Sequence, residues 1–336
     1  GWGAAEAAPS RARLRQRAIH CSCSFMEGRE VRASDLEAPP GDRPTFARPM
    51  GIRATDNRVA SVLAEYRSQL APLYDAGECK AIVRSVFHDR LGWDAAQLDL
   101  RASEPLHESD LLKVYLPLKR LRAGEPLQYV LGEVEFHGLR IKVSPDVLIP
   151  RPETEELVEH VLRDSADVRG VVDVGTGSGC IALAIAKARP QARVTAIDDS
   201  AAALAMAADN ARALGIDIAL LHADALSEGF GLPAGTDLVV SNPPYIPVEE
   251  ERTLAPQVRD HEPRRALFAP AGDPLAFYRA IGLKAHGALP PGGRLWLEGH
   301  WRTAREAAAL LREMGYAEVT LIRDLSGHER FIRAVR

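Results

Sequence analysis

The sequence contains few cysteines, and they are scattered. Four occur in 336 residues, at positions Cys21, Cys23, Cys79 and Cys180. This number is too small for a disulfide framework in a chain of this length, so a reducing compartment is expected. Cys21 and Cys23 lack a second Cys or His pair at zinc spacing. We therefore predict no metal site.

The sequence also lacks a long apolar run and a large charge of one sign. The stretch from Ile181 to Ala186 meets Lys187, well short of the about 20 apolar residues of a membrane-spanning helix. The 42 basic and 46 acidic residues leave a net charge of −4, which argues against a whole-surface electrostatic grip on nucleic acid. We expect a soluble, cytoplasmic protein with no membrane partner, and the composition leaves room for a local basic patch.

The first 55 residues differ from the rest of the chain. They are rich in Ala, Arg and Pro, and they show no sustained apolar periodicity. This composition predicts a poorly ordered N-terminal extension over residues 1–55. Its Arg-rich opening weakly resembles a mitochondrial transit peptide, but the acidic residues from Glu27 onward dilute that signal, so a mitochondrial location is the minor alternative.

The next part of the chain shows helical periodicity. Over residues 56–123 apolar residues recur three and four positions apart, which predicts a small helical domain. In residues 124–150 apolar and polar residues then alternate on both sides of His137 and Gly138, which predicts a β-hairpin that links two domains. The apolar residues of the helical stretch, interpreted as its core, are Val62, Leu63, Tyr66, Leu70, Ile82, Val83, Val86, Phe87, Leu111, Leu112, Tyr115, Leu118 and Leu121.

Short β-rich runs alternate with helical runs in residues 151–336. This alternation predicts a parallel sheet with helices on both faces, and ligands bind such sheets outside the carboxyl ends of the strands. The predicted elements of the first half are the strands 171–174, 193–197, 218–222 and 237–241 and the helices 181–189 and 201–214.

A glycine-rich loop follows the first of these strands. Glycine allows a sharp turn and a close approach of the backbone to a ligand. The spacing is G-x-G-x-G, which is neither the G-x-G-x-x-G dinucleotide pattern nor a phosphate-binding loop with a following Lys-Ser or Lys-Thr. By itself the loop also fits any tight turn from a strand into a helix. Its residues are Gly175, Thr176, Gly177, Ser178 and Gly179, and Cys180 opens the predicted helix.

Acidic residues follow the second and third strands. Asp198 comes about 20 residues after the loop, where an acid can accept hydrogen bonds from both ribose hydroxyls. Asp199 is expected to cap the next helix, and the alternative is that both acids are only caps. Asp224 is placed to meet an adenine amino group, and Ala225 follows it.

The most specific motif follows the fourth strand as Asn242, Pro243, Pro244 and Tyr245. The prolines remove two N–H donors and stiffen the backbone. A planar NH₂ group could donate one hydrogen to the Asn242 side-chain carbonyl and the other to the Pro243 backbone carbonyl, while Tyr245 packs on its flat face. A proline-rich turn with a buried tyrosine is the simpler alternative, but it does not explain all four residues at this place.

The motifs as a group resemble those of an S-adenosylmethionine-dependent methyltransferase that acts on a planar NH₂ group. They are D-V-G-T-G-S-G, Asp198 and N-P-P-Y. The flanking segments resemble the peptide chain release factor N5-glutamine methyltransferase family from about Arg58 to the C-terminus. Arg151-Pro152 matches this family, whereas sister enzymes that modify a ribosomal protein often carry Arg-Ser. The flanking matches are residues 124–129, Phe136, 138–139, 148–155, 262–263 and 266–267.

The resemblance implies a fold, a cofactor and a partner. The fold is a seven-stranded Rossmann-like class I methyltransferase sheet over residues 151–336, preceded by the helical domain, which would recognise the substrate, and the hairpin. The glycine loop, Asp198, Asp224, Ala225 and Asn242 would bind S-adenosylmethionine. Ala225 stands where the family commonly has an aromatic residue near the adenine.

The resemblance also implies the reaction. Asn242, Pro243, Pro244 and Tyr245 would hold the glutamine of a Gly-Gly-Gln loop in a class I release factor, with Asn242, Pro243 and Tyr245 as the catalytic residues and no obvious general base. Methylation of a ribosomal protein glutamine is one alternative. An adenine-N6 nucleic-acid methyltransferase is another, for which Arg259, Arg264 and Arg265 could supply local charge, although no direct nucleic-acid substrate is expected. A protein that binds the cofactor without turnover is the non-enzymatic alternative.

Overall fold

The computed structural model describes residues 56–336, so the predicted N-terminal extension, with Cys21 and Cys23, lies outside the described residues. The chain divides after Gly124 into two compact units. Within residues 56–336, none of the helices combines the length and the apolar character that crossing a membrane requires.

The first unit is helical. Capping boxes begin two of its helices, Asp75 with Glu78 at α2 and Asp94 with Gln97 at α3. Tyr66 and Phe87 are fully buried between the helices. Leu112 was predicted in the core but is 52% exposed, because the buried residues of α4, such as Val114 and Leu118, lie on the opposite face of the helix. The helices are α1 (Val59–Leu70), α2 (Ala76–Leu91), α3 (Ala95–Leu100) and α4 (Glu108–Arg122).

The second unit begins with a short helix and the predicted hairpin. Helix α5 (Leu127–Leu131) leads into the antiparallel strands β1 (Glu133–Phe136) and β2 (Leu139–Lys142). The two turn residues, His137 and Gly138, both have positive φ, at 49° and 72°. A two-residue turn with this backbone matches the twist of the flanking strands, which explains the tight hairpin.

The rest of the second unit contains a seven-stranded sheet with the order β5-β4-β3-β6-β7-β9-β8. The first five strands in this order are parallel, and β9 is antiparallel to both β7 and β8. The predicted class I methyltransferase architecture is therefore confirmed. The strands are β3 (Gly170–Val174), β4 (Arg193–Asp198), β5 (Ala219–His222), β6 (Leu238–Ser241), β7 (Arg294–Glu298), β8 (Glu318–Arg323) and β9 (Glu329–Val335).

Helices of the second unit pack on the sheet, and the two hydrophobic clusters of this core include Trp296, Phe331 and Tyr278. The strand β3 is buried at all five positions, as expected for a central parallel strand covered on both faces. The helices are α6 (Pro152–Asp164), α7 (Cys180–Ala188), α8 (Ala201–Leu214), α9 (Pro256–His261), α10 (Arg264–Leu267), α11 (Ala276–Ala288) and α12 (Ala304–Glu313), with a 3₁₀ helix at Val248–Thr253.

The strand order places a switch point between β3 and β6. From β3 the chain moves outward to β4 and β5, whereas from β6 it moves in the other direction to β7. The connections after the two central strands therefore diverge and leave a crevice at their carboxyl ends. The glycine loop follows β3 and Asn242 follows β6, so both predicted motifs border this crevice.

Candidate functional site

A cleft lies in the second unit at the carboxyl ends of the strands β3 to β6. Most of the predicted site residues line it together, whereas Thr176, Ser178, Gly179 and Tyr245 are not among its lining residues. The predicted residues in the lining are Gly175, Gly177, Asp198, Asp224, Ala225, Asn242, Pro243 and Pro244. Those that prediction missed are Asp146, Val147, Leu148, Val174, Asp199, Ser200, Ala203, Ala223, Ser241, Arg265, Ala266, Phe277 and Ile281.

The glycine loop is anchored on the end of the neighbouring strand β4. The backbone N–H groups of Gly175 and Thr176 donate to the carbonyl of Ile197 at 2.8 and 2.9 Å. Gly175 and Gly177 have φ values of 73° and 54°, and a Cβ at either position would meet no protein atom within 4 Å. The left-handed backbone requires glycine here, and it keeps this side of the cleft free of side chains.

The remaining loop residues contact the protein interior and hold the loop in place. Thr176 is buried, and its hydroxyl donates to Asp173 Oδ2 at 2.6 Å. The carbonyl of Ser178 accepts from Asn210 Nδ2 at 2.9 Å. A Cβ at Gly179 would lie 3.0 Å from the Cβ of Ala207, so glycine lets α7 approach α8 closely. Direct cofactor contacts by Thr176, Ser178 and Gly179 stay a prediction.

Asp198 forms hydrogen bonds on both carboxylate oxygens. Oδ2 accepts from Gly177 N at 2.8 Å and Oδ1 accepts from Ser200 N at 2.9 Å. Burial raises the pKa of Asp198, and the two backbone hydrogen bonds act against that rise. Each oxygen still has a second lone pair, so the carboxylate can accept from a ligand diol while it holds the loop.

The expected cap of helix α8 was wrong. The N-cap is Ser200, whose hydroxyl accepts from Ala203 N, whereas Asp199 is exposed. The reason is that α8 begins at Ala201, as predicted, so the residue directly before the helix is Ser200, and Asp199 lies one residue too early to be the N-cap. Asp199 instead lies 3.9 Å from Arg265 at the rim of the cleft.

One wall of the cleft is apolar. Ala225 lines it together with Phe277 and Ile281 of helix α11. Asp224 is exposed, and its carboxylate accepts from Leu226 N at 2.8 Å. Phe277 supplies an aromatic ring on the wall that includes Ala225, and no motif in the sequence indicated it.

A hydrogen-bond chain leads away from Asn242. The Asn242 Nδ2 donates to Thr154 Oγ1 at 3.1 Å, and the Thr154 hydroxyl donates to Glu298 Oε2 at 2.8 Å. Just before Asn242, the Ser241 hydroxyl donates to the Val174 carbonyl at 2.6 Å. The last bond joins the ends of β6 and β3, so it holds Asn242 beside the glycine loop.

Tyr245 is half-buried and packs against the core beside the cleft. Its ring centroid lies 6.0 Å from that of His300, with 37° between the ring planes. Burial lowers the pKa of His300 to about 4, so this imidazole is neutral at neutral pH. The packing of Tyr245 on a substrate amide stays a prediction.

Segments that carried the family resemblance meet around the cleft. The Tyr129 hydroxyl donates to the carbonyl of Val147 at 2.6 Å, and Val147 lines the cleft. Arg151 forms an ion pair with the buried Glu262, whose other oxygen accepts from Ile149 N. Motifs far apart in the sequence therefore hold one wall of the same site.

The arginines that could have formed a basic patch lie beside carboxylates. Arg264 pairs with Glu251, and Arg259 contacts Asp260 at 2.7 and 2.9 Å. Arg265 lies 3.9 Å from Asp199. Within residues 56–336, no cluster of three or more His, Cys, Asp or Glu side chains could hold a metal ion.

The cleft suits the predicted cofactor. An adenosine needs an acceptor for two ribose hydroxyls and an apolar slot for its base, and Asp198 and the Ala225–Phe277 wall provide these groups in one cleft. A glycine backbone without side chains allows the rest of the molecule to approach the loop closely. The donors and acceptors present therefore fit S-adenosylmethionine.

Comparison with known proteins identifies the family. Residues 152–258 match the model of the methyltransferase small domain, and residues 61–132 match that of the PrmC N-terminal domain. The release factor glutamine methyltransferase of Bacteroides thetaiotaomicron is 36% identical over 275 residues, which cover 82% of this chain and 99% of the relative. That of Bordetella pertussis is 45% identical over 258 residues, which cover 75% and 92%. With this identity across nearly the full length of the relatives, the chain belongs to the release factor glutamine methyltransferase family.

Proposed function

We propose that this protein transfers a methyl group from S-adenosylmethionine to the side-chain amide nitrogen of the glutamine in the Gly-Gly-Gln motif of class I release factors. The observation that carries this proposal is the position of Asn242. Its side-chain amide lines the cleft at the end of β6, directly beside the strand that carries the glycine loop. An acceptor for a planar NH₂ group thus lies next to the cofactor loop.

The lining of the cleft supports an assignment of residues to the cofactor. Asp198 accepts the ribose hydroxyls, the backbone of Gly175 and Gly177 flanks the cofactor, and Ala225 with Phe277 borders the adenine. We assign the aromatic contact to Phe277, because Ala225 has no ring to offer. The bound cofactor supplies an electrophilic methyl group on a sulfonium.

The chain's own residues position the nucleophile. An amide nitrogen is a weak nucleophile because its lone pair is delocalised into the carbonyl. By accepting both N–H hydrogens, the Asn242 side-chain oxygen and the Pro243 carbonyl orient the nitrogen and stabilise the positive charge that develops on it. Tyr245 confines the flat face of the amide. Transfer would form the bond from nitrogen to the methyl carbon as the bond from that carbon to sulfur breaks, and the strongly acidic nitrogen would then lose a proton to solvent.

A nucleic-acid substrate is the weaker candidate. A base methyltransferase needs a basic groove that follows the phosphate backbone. Arg259 and Arg264 are paired with carboxylates at the surface, and Arg265 lies near Asp199, which reduces their net field. These contacts argue against a basic groove formed by the three arginines, and so favour the protein substrate over nucleic acid.

The test is methylation of purified class I release factor with labelled S-adenosylmethionine. We expect one added methyl on the Gly-Gly-Gln glutamine, located by peptide mass spectrometry. Replacing that glutamine by asparagine in the release factor should abolish the transfer, because the amide moves short by one methylene and out of line with the methyl. Methyl on ribosomal protein or on adenine, with the release factor unmodified, would contradict the proposal.

We further propose that the helical unit recognises the release factor. Leu112 and Leu116 lie one turn apart on α4 and are 52% and 63% exposed. Exposed large apolar side chains on one helix face are typical of a protein-binding surface. A partner as large as a release factor needs contacts beyond a pocket for one glutamine, and such a surface could supply them.

Replacing both Leu112 and Leu116 by serine should raise the KM for the release factor about tenfold, a loss usual for removing apolar interface contacts. The affinity for S-adenosylmethionine, measured by calorimetric titration, should not change. Leu100→Ser is the matched control, because Leu100 is 82% exposed on α3 of the same unit. An unchanged KM in the double variant would remove this face from the recognition surface.

A further inference from the structure

The hydrogen-bond chain behind Asn242 joins three elements. Asn242 follows β6, Thr154 lies in the first turn of α6, and Glu298 ends β7. Thr154 and Glu298 are only 2% and 1% exposed. The chain therefore runs from the cleft into the interior, where water does not compete for its hydrogen bonds.

The buried end of this hydrogen-bond chain sets its polarity, that is, which group donates and which accepts in each hydrogen bond. An ionised carboxylate can only accept hydrogen bonds, so the Thr154 hydroxyl must give its single hydrogen to Glu298. The Thr154 oxygen is then left as an acceptor, and it takes the Nδ2 group of Asn242. The two ends of the Asn242 amide have nearly the same shape, so only such a partner distinguishes one orientation from the other.

We propose that Thr154 and Glu298 are positioning residues, which hold the Asn242 amide with its nitrogen toward Thr154 and its carbonyl oxygen toward the glutamine amide of the substrate. This inference rests on the proposed function. In the opposite orientation, Asn242 would present an NH₂ group to the NH₂ group of the substrate, and neither could accept. The buried pair therefore decides whether Asn242 can accept an N–H hydrogen at all.

Glu298 lies among groups of both charges. Arg330 of β9 and Arg151 before α6 are the cations that act on it, and Glu153 is the nearby acid. Cys180 of α7 and Tyr278 of α11 also face it, and the Tyr278 hydroxyl donates to its backbone carbonyl at 3.3 Å. Burial raises the pKa of Glu298 to about 7, against the opposing effects of Arg330 and the hydrogen bond from Thr154.

Protonation of Glu298 would release the polarity of the chain. A neutral carboxyl can donate to Thr154, whose hydroxyl hydrogen can then turn toward Asn242 and accommodate the opposite amide orientation. Turnover should therefore rise with pH through about 7 as Glu298 ionises. Folding stability should change with pH in the opposite direction. The folded protein binds this proton more tightly than the unfolded chain does, so the contribution of Glu298 to stability falls as pH rises from about 4.5 to about 7.

The first test removes the hydroxyl alone. Thr154→Val keeps the shape of the side chain, and it should lower kcat for release factor methylation at least about tenfold, as expected for a lost transition-state hydrogen bond. The dissociation constant of S-adenosylmethionine should stay within about twofold, because Thr154 does not line the cleft. Thr154→Ser restores the hydroxyl and should recover kcat to within about threefold of the wild type.

Thr236→Val is the matched control. Thr236 is also 2% exposed, and its hydroxyl donates to the carbonyl of Pro233. It lies just before Asp237, near the amino-terminal end of β6. The Thr236→Val variant should lose some thermal stability and keep the wild-type kcat. A kcat for Thr154→Val equal to that of the control would overturn the inference. Wild-type protein that methylates no release factor would instead overturn the proposed function, and the inference with it.

The second test changes the charge. Glu298→Gln keeps the size of the side chain but can both donate and accept, so it no longer imposes one polarity on Thr154. We expect a lower kcat at pH 8, loss of the rise in kcat through about pH 7, and thermal stability at pH 8 no lower than that of the wild type. Retention of the wild-type pH profile in Glu298→Gln would show that Glu298 does not orient Asn242.

Discussion

Replacing Asn242 by alanine should reduce turnover with the release factor by at least about a hundredfold, the loss usual when one preorganised hydrogen-bond partner of a transition state is removed. Its side-chain oxygen is the proposed acceptor for the substrate amide, and no other side chain in the cleft lining offers an amide oxygen. Single-turnover measurement of methyl transfer with saturating cofactor isolates this effect. The affinity for S-adenosylmethionine should fall far less than the rate.

Asn242→Asp should reduce turnover with the release factor at least as much as Asn242→Ala does. The new carboxylate would face the Thr154 oxygen, whose hydrogen is already donated to Glu298, so two acceptors would compete for one hydrogen. Asn57→Ala is the control, because Asn57 also donates through its side-chain amide, to the carbonyl of Leu106 in the first unit. Asn242→Asp with near wild-type turnover would exclude the proposed role of the amide.

The second large effect is expected at Asp198. Asp198→Ala should weaken S-adenosylmethionine binding by at least about tenfold, because even one charge-assisted hydrogen bond contributes about 1.5–3 kcal/mol. The substitution removes the acceptor for the ribose and also releases the N–H of Gly177 in the glycine loop. Calorimetric titration measures the affinity, and thermal unfolding measures the accompanying loss of stability.

A matched variant separates the two contributions of Asp198. The Asp237 carboxylate also accepts from two backbone N–H groups, those of Arg169 and Gly170, both at 2.9 Å. These contacts lie at the amino-terminal ends of β3 and β6, away from the cleft. Asp237→Ala should therefore lose similar stability and retain cofactor affinity. Equal affinity losses in both variants would remove Asp198 from the ribose role.

Motifs with strong local constraints could be predicted from the sequence. The turn at His137-Gly138, the glycine loop before Cys180 and the alternation of strands and helices depend on backbone preferences of the residues themselves. The sequence also placed Asn242 directly after a strand. The cap of α8 was predicted wrongly although the predicted helix start at Ala201 was correct, because Asp and Ser are about equally favoured as N-cap residues and Asp199 and Ser200 are neighbours.

By itself, the sequence determined the alternation of strands and helices and the loop motifs that carry the family resemblance, because apolar periodicity and these motifs are encoded in consecutive residues. The tertiary structure alone decided which distant residues meet. It placed Phe277 on the wall with Ala225, paired Arg151 with Glu262, and joined Glu298 to Asn242 through Thr154. The physical reason is that a hydrogen bond or a contact depends on distance in space, and chain folding brings together residues as far apart as Thr154 and Glu298.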